Sequence, residues 1–289
     1  MKIILLEPYG YCAGVARAIN IAKEAKQNNK NKEVVILGML VHNQDALLEL
    51  ENEGIKTIYH KDKNLMDLID EVPQNSIVIL TAHGHAKDIE IKLNKLGIEF
   101  IDATCPFVTS SFKLIKSATD NNHDVLYIGK ANHPESNAAL SLSNKVHLID
   151  VSNPVFNCED KSPFVINQTT FSKQEVSKIT DQIISKYNTA TIHPGTCDAS
   201  TRRQNALLSL PKDVELIYIV GGTNSNNTRT LAKIAEENYP LTKVLTIQNA
   251  SNINKKDLKG LNCVAISSGA STPKHISEEI KLTIEQLLN

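Results

Sequence analysis

The chain has 289 residues, 41% of them hydrophobic and 22% charged, with 12 Gly and 10 Pro, a composition that excludes disordered and collagen-like proteins. Thirty-one Lys and Arg against 32 Asp and Glu leave a formal charge of -1, far from the basic footprint of a protein whose work is gripping nucleic acid. The first apolar run is too short for a secretory signal and no stretch approaches about 18 uncharged apolar residues, so a cytoplasmic location with no membrane or nucleic-acid partner is expected.

In chain order, short apolar runs predict strands at Ile3–Leu6, Val34–Leu37, Lys56–Tyr59 and Ile77–Leu80. A second set follows at Ile98–Ile101, Val125–Ile128, Val146–Ile149 and Phe164–Ile166, and a third at Thr189–Ile192, Leu216–Val220, Val244–Ile247 and Cys263–Ile266. Helix-length segments such as Glu90–Leu96, Lys173–Lys186 and Ile276–Leu288 lie between them. Continuous apolar strands separated by helices indicate parallel sheets covered on both faces, an α/β fold.

Five cysteines, an odd number, read as thiols or metal ligands rather than a disulfide framework. Cys263 lies inside an apolar strand and reads as a small buried hydrophobe, and Cys158 as a loop thiol. Cys12, Cys105 and Cys197 are spaced by 93 and 92 residues, and each follows a strand-like run and opens a helical pattern. The spacing divides the chain into three α/β repeats at 1–96, 97–187 and 188–289. All three cysteines fall where a helix N-terminus favours thiolate, so ligation is expected of them. Three thiolates suit either a zinc ion with one open position or three irons of a 4Fe-4S cluster whose fourth iron is left without a protein ligand.

Ligands of open α/β sheets gather beyond the carboxyl ends of strands. After the second strand of each repeat stand His42, His133 and the pair Ser225 and Asn227, 28 to 30 residues beyond the cysteines. After the last strand come Thr81-Ala82-His83-Gly84-His85, Asn167-Gln168-Thr169-Thr170 and Ser267-Ser268-Gly269-Ala270-Ser271-Thr272. Donors at helix starts suit a phosphate or diphosphate in a net-neutral protein, although the same Ser, Asn and His residues also serve as helix caps. Glu135, in Asn132-His133-Pro134-Glu135, has the place of a first-turn capping acid. Beside an anion and a metal, that carboxylate becomes a candidate general acid, with Thr169 and Thr170 as hydroxyls to pass its proton. An equal threefold repeat with polar tips in register is satisfied if three small sheets aim their strand ends at one site.

These motifs resemble the 4-hydroxy-3-methylbut-2-enyl diphosphate reductases of the non-mevalonate isoprenoid pathway. The resemblance rests on Gly10-Tyr11-Cys12-Ala13-Gly14-Val15, Val41-His42-Asn43, Ala82-His83-Gly84, Asp102-Ala103-Thr104-Cys105-Pro106, His133-Pro134-Glu135, Gln168-Thr169-Thr170 and Ser268-Gly269-Ala270-Ser271, in family order over nearly the whole chain. It implies a trefoil of three pseudo-threefold-related α/β domains around a central 4Fe-4S cluster held by Cys12, Cys105 and Cys197. It also implies a diphosphate bound by His42, His83, His133, Ser225, Asn227 and Ser271, with Thr169, Thr170 and Asn226 as further substrate-binding positions. Glu135 would supply protons, Thr169 would position the reacting hydroxyl, and a ferredoxin or flavodoxin would deliver electrons.

The chain departs from the family pattern at Tyr11, where Phe is usual, at Asn226, where a second Ser is common, and at Asp198 and Ser200, where a neutral residue and Thr are usual. The additional carboxylate of Asp198 is expected to lower the potential of a nearby cluster.

Overall fold

In the computed structural model, which describes residues 1–288, strands and helices alternate from end to end. The first set comprises β1 (Lys2–Leu5), α1 (Ala13–Asn28), β2 (Glu33–Leu37), α2 (Gln44–Asn52), β3 (Ile55–Ile58), α3 (Leu65–Leu68), β4 (Ser76–Leu80) and α4 (Lys87–Lys95). The second comprises β5 (Glu99–Asp102), α5 (Pro106–Asp120), β6 (Val125–Gly129), α6 (Pro134–Leu140), β7 (Val146–Asp150), β8 (Phe164–Asn167) and α7 (Lys173–Lys186). The third comprises β9 (Thr191–His193), α8 (Asp198–Leu208), β10 (Leu216–Val220), α9 (Asn226–Asn238), β11 (Lys243–Ile247), α10 (Lys255–Leu258), β12 (Cys263–Ser268) and α11 (Lys274–Leu288). Every strand read from an apolar run is present, displaced by at most two residues at either end.

The strands form three four-stranded parallel sheets, ordered β3-β2-β4-β5, β7-β6-β8-β9 and β11-β10-β12-β1. The order is the same in all three, but each sheet takes its outer strand from the repeat that follows it in sequence, the last closing on β1. The divisions at 1–96, 97–187 and 188–289 therefore do not coincide with the sheets. Hydrophobic runs locate strands; they do not specify which edge a strand joins, because that choice is made by non-local pairing.

The chain divides into two compact units. One comprises Met1–Ala13, Val41–Leu48 and the segment from Asp198 onward, and contains the sheet with β10 at its centre. The other comprises Gly14–Leu40 and Glu49–Cys197, and contains the two remaining sheets.

The central strands show why their sequences are apolar without alternation. In β10, Ile217 and Ile219 pack with Leu207 of α8 and Leu231 of α9, whereas Leu216, Tyr218 and Val220 pack on the other face with Ile276, Ile280 and Ile284 of α11. In β6, Leu126 and Ile128 meet Ile179 and Ile183 of α7, while Val125 and Tyr127 meet Ile115 of α5 and Ala139 of α6. With both faces covered, neither parity of side chain reaches water. Among the described residues, no helix is long and apolar enough to cross a membrane.

Leu37, fully buried in the core that includes Leu80, Ile89 and Leu93, reports on this packing. Leu37→Ala should lower unfolding free energy by about 2–5 kcal/mol in urea titrations, through lost transfer energy and the cavity left behind.

Candidate functional site

The loops at the carboxyl ends of the strands carry the candidate residues. In each sheet the chain leaves the second strand toward one edge and returns on its other side, so the gap between β2 and β4, β6 and β8, or β10 and β12 is a topological switch point. His42, His133 and Ser225 follow the first strand of these pairs in sequence, and His83, Thr169 with Thr170, and Ser271 follow the second.

A recurrent hydrogen bond fixes the cysteines. Cys12 N–H donates to the carbonyl of Ala270, Cys105 N–H to that of Ala82 and Cys197 N–H to that of Thr169, each at 3.0 Å. Each acceptor lies two residues past the strand beside the one that leads to the cysteine. Helices α1, α5 and α8 start at the next residue, and Cys105 is itself the N-cap of α5 with Pro106 behind it. Side chains brace the same turns. Arg17 donates to the Thr104 and Ala103 carbonyls at 3.1 and 3.4 Å, and buried Arg203 donates to the Gly10 carbonyl at 2.6 Å. Asn167 closes the third turn: its Oδ1 accepts from Gly195 N–H at 2.8 Å and its Nδ2 donates to Thr196 Oγ1 at 3.1 Å. A Cβ on Gly195 would lie 2.0 Å from the Asn167 carbonyl oxygen, so this approach requires glycine.

Within the larger unit, Glu135 is buried in the first turn of α6. Asn132 takes a left-handed conformation with φ 62°, which Asn tolerates, and turns the chain into His133. His133 then caps the helix, its Nδ1 accepting from Glu135 N–H at 3.1 Å. Neutral His133 in this arrangement carries its proton on Nε2, so the cap leaves a donor on the ring's other side. The His83 ring meets it edge to face, with centroids 5.5 Å apart.

The Glu135 carboxyl receives three hydrogen bonds. Oε1 accepts from Thr169 N–H at 2.9 Å and from Tyr127 Oη at 3.2 Å, and Oε2 pairs with Thr169 Oγ1 at 2.9 Å. These contacts favour the carboxylate, yet burial outweighs them and pushes the Glu135 pKa up to about 7. Burial, and then the nearby Glu135 charge, raise the Tyr127 phenol well above its ordinary range, so it stays a donor. Gln168 ties the neighbouring loops, accepting from Lys130 N–H at 3.2 Å and donating to Thr170 Oγ1 at 3.0 Å.

Within the smaller unit, Ser225 caps α9 by accepting from Thr228 N–H at 3.3 Å, which uses a lone pair and leaves the hydroxyl proton to be donated elsewhere. Asn226 and Asn227 occupy the first turn of this 13-residue helix, where backbone N–H groups and the helix field favour an anion. Asn227 Oδ1 accepts from Ser200 Oγ at 3.0 Å. Ser271 Oγ, Ser268 Oγ and Thr228 Oγ1 are buried with no hydrogen-bond partner among the described residues. A Cβ on Gly221 or Gly269 would lie 2.3 or 2.5 Å from Thr228 Oγ1, so both glycines make room for that hydroxyl. Burial, and secondarily the Arg229 charge, bring the His42 pKa down to about 4, which keeps this imidazole neutral near pH 7.

Asp198 opens α8. Its carboxylate pairs with Arg202 Nε at 2.9 Å, four residues along α8, and both side chains are exposed. Cys263 is buried in β12 as expected, and Cys158 lies in the loop after β7. Tyr127, Arg17 and Arg203 are contributors that sequence reading missed. Tyr127 sits in an apolar strand like any core aromatic, and the others reach partners that no local pattern connects to them.

The Glu135 shift sets a stability dependence. A carboxyl raised from 4.5 to about 7 contributes stability that is fully present below about pH 4.5 and is lost as pH rises through about 7. The difference in unfolding free energy between the native protein and Glu135→Gln should fall across that window in denaturant titrations. A difference independent of pH would contradict the assignment.

A family model described as "LytB protein" matches residues 3–285. The 4-hydroxy-3-methylbut-2-enyl diphosphate reductase of Bacillus subtilis (strain 168) is 37% identical over 290 residues, covering 99% of this chain and 91% of the relative. The enzyme of the same name from Malacoplasma penetrans (strain HF-2) is 34% identical over 296 residues, covering 100% and 98%. The solved E-1-hydroxy-2-methyl-but-2-enyl-4-diphosphate reductase from Plasmodium falciparum matches with a TM-score of 0.87 at 26% identity, covering all of this chain and 88% of that one. Sequence and fold agree across the full length, and the chain belongs to the LytB family.

Proposed function

We infer that the protein is an oxidoreductase that removes the 4-hydroxyl of (E)-4-hydroxy-3-methylbut-2-enyl diphosphate, giving isopentenyl and dimethylallyl diphosphate in the last step of the non-mevalonate pathway. The reaction consumes two electrons and two protons: the C–O bond breaks, water leaves, and a C–H bond forms at one end of the allylic system. Full-length relatives carry this enzyme's name. The observation in the chain itself that carries the reading is the buried Glu135–Thr169 pair, with its carboxyl pKa near 7.

The ligands we assign to a 4Fe-4S cluster are Cys12, Cys105 and Cys197. The donor set fits: soft sulfur ligands suit iron–sulfur chemistry, and the same backbone hydrogen bond at all three cysteines supports a shared role. When bound, such a cluster supplies single electrons and Lewis acidity at an iron not ligated by protein. Electrons would come from a ferredoxin or flavodoxin, and a cytoplasmic location would keep the thiols reduced.

The remaining assignments concern binding and protons. His42, His83, His133, Ser225, Asn227 and Ser271 hold the diphosphate, which offers only acceptors, and Thr170 and Asn226 are further substrate-binding positions. The support is chemical: the Ser225 cap uses an acceptor lone pair and keeps the hydroxyl proton for donation, and the Ser271 hydroxyl is buried without a partner among the described residues. Thr169 positions the reacting hydroxyl. Neutral Glu135 donates through Oε2 to Thr169 Oγ1, whose own proton passes onward. Once Glu135 is ionised, the three hydrogen bonds from Thr169 and Tyr127 stabilise its carboxylate. Removing this chain of donors from bulk water lets proton delivery be governed by geometry.

Anaerobic turnover of the substrate with a chemical reductant tests the reading. Glu135→Gln should lower kcat by about 10²-fold or more with iron and sulfide content unchanged, and the native rate should decline above about pH 7, where Glu135 loses its proton. Undiminished turnover by Glu135→Gln would remove the proton role. Cys105→Ser should lose iron, whereas Cys158→Ser should retain it.

A further inference from the structure

We propose that Ser200 is a positioning residue for the diphosphate site, fixing the Asn227 side-chain amide so that its nitrogen, not its oxygen, is presented to the anion. The proposal rests on the reading of Asn227 as a diphosphate ligand. Ser200 lies in the first turn of α8, is 2% exposed, and donates its hydroxyl to Asn227 Oδ1 at 3.0 Å.

The need for such a partner follows from the chemistry of an amide. Its oxygen and nitrogen are nearly equal in size, so shape alone barely distinguishes the two flipped orientations. A diphosphate distinguishes them sharply, because it has only acceptor oxygens. Nδ2 toward it makes a charge-assisted hydrogen bond, whereas Oδ1 toward it sets two acceptors against each other. A donor on the opposite side of the amide resolves the choice before the ligand arrives, and the Ser200 hydroxyl is that donor.

The supporting framework is rigid. Ser200 is anchored on α8 and Asn227 on α9, and these helices share one apolar core through Leu207 on the first and Leu231 and Ile234 on the second. Next to Asn227 in sequence, the Ser225 cap holds the first turn of α9 through Thr228 N–H. Fixing the amide ahead of binding removes a reorientation cost that the ligand would otherwise bear.

Isothermal titration of inorganic diphosphate into the anaerobic holoprotein reads this directly, without turnover. Ser200→Ala should weaken binding by about tenfold, the size of one hydrogen bond, with iron content and the visible spectrum unchanged, while Ser200→Thr, which keeps the hydroxyl, should restore affinity to within about twofold. In steady state the loss from Ser200→Ala should appear in KM more than in kcat. In an Asn227→Ala background, Ser200→Ala should cost almost nothing further, because its route of action is gone. Equal losses in both backgrounds, or no loss in the native background, would overturn the role of Ser200. If Asn227→Ala itself binds diphosphate as well as the native protein, the assignment of Asn227 fails and the proposal falls with it.

Discussion

One backbone hydrogen bond, made three times, sets the positions on which the proposed chemistry depends. The N–H of Cys12, Cys105 and Cys197 each reaches the carbonyl two residues beyond an adjacent parallel strand. Parallel register fixes how far the neighbouring strands extend: Leu5 lies opposite Ile266, Asp102 opposite Leu80, and His193 opposite Ile166. From that alignment three residues lead to α5, four to α8 and seven to α1, and each sulfur is delivered at a helix start. Arg203, Arg17 and Asn167 then hold these turns through main-chain atoms. The acceptor side of the same bond reaches the proposed proton path, since the carbonyl that receives Cys197 N–H belongs to Thr169, the hydrogen-bond partner of Glu135.

Glu135 shows a balance between opposing terms. Three donors around a carboxyl ordinarily stabilise its charge, yet burial among the elements of the β6 sheet leaves the acid only half ionised near pH 7. Fewer donors would make the acid too weak to give up its proton, and more solvent would make it too strong to hold one. A group poised between these limits can both carry a proton and release it, which is what a proton donor at neutral pH requires.

Much of this arrangement was legible in the sequence. Apolar runs located all twelve strands among the described residues, most clearly the central ones, which are covered on both faces and so are apolar at both parities. Equal cysteine spacing revealed the repeat. Sheet membership was not legible, since β1, β5 and β9 join sheets made by other repeats and such pairing leaves no local trace. His133 and Ser225 are helix caps, the reading that their places after a strand allowed, and each cap uses an acceptor atom of the side chain. The partner of Asp198, Arg202, sits one helical turn away on the exposed face. Tyr127 was invisible, and Ser200 visible only as a departure from the family pattern, because their contacts with Glu135 and Asn227 are tertiary.

The central assignment, an open-sited cluster held by Cys12, Cys105 and Cys197, is tested most directly by Mössbauer spectroscopy of anaerobically isolated, iron-57-enriched protein with and without substrate. Four irons per chain, one inequivalent to the rest and altered when substrate is added, are expected. Absence of iron, or four irons indifferent to the substrate, would contradict it.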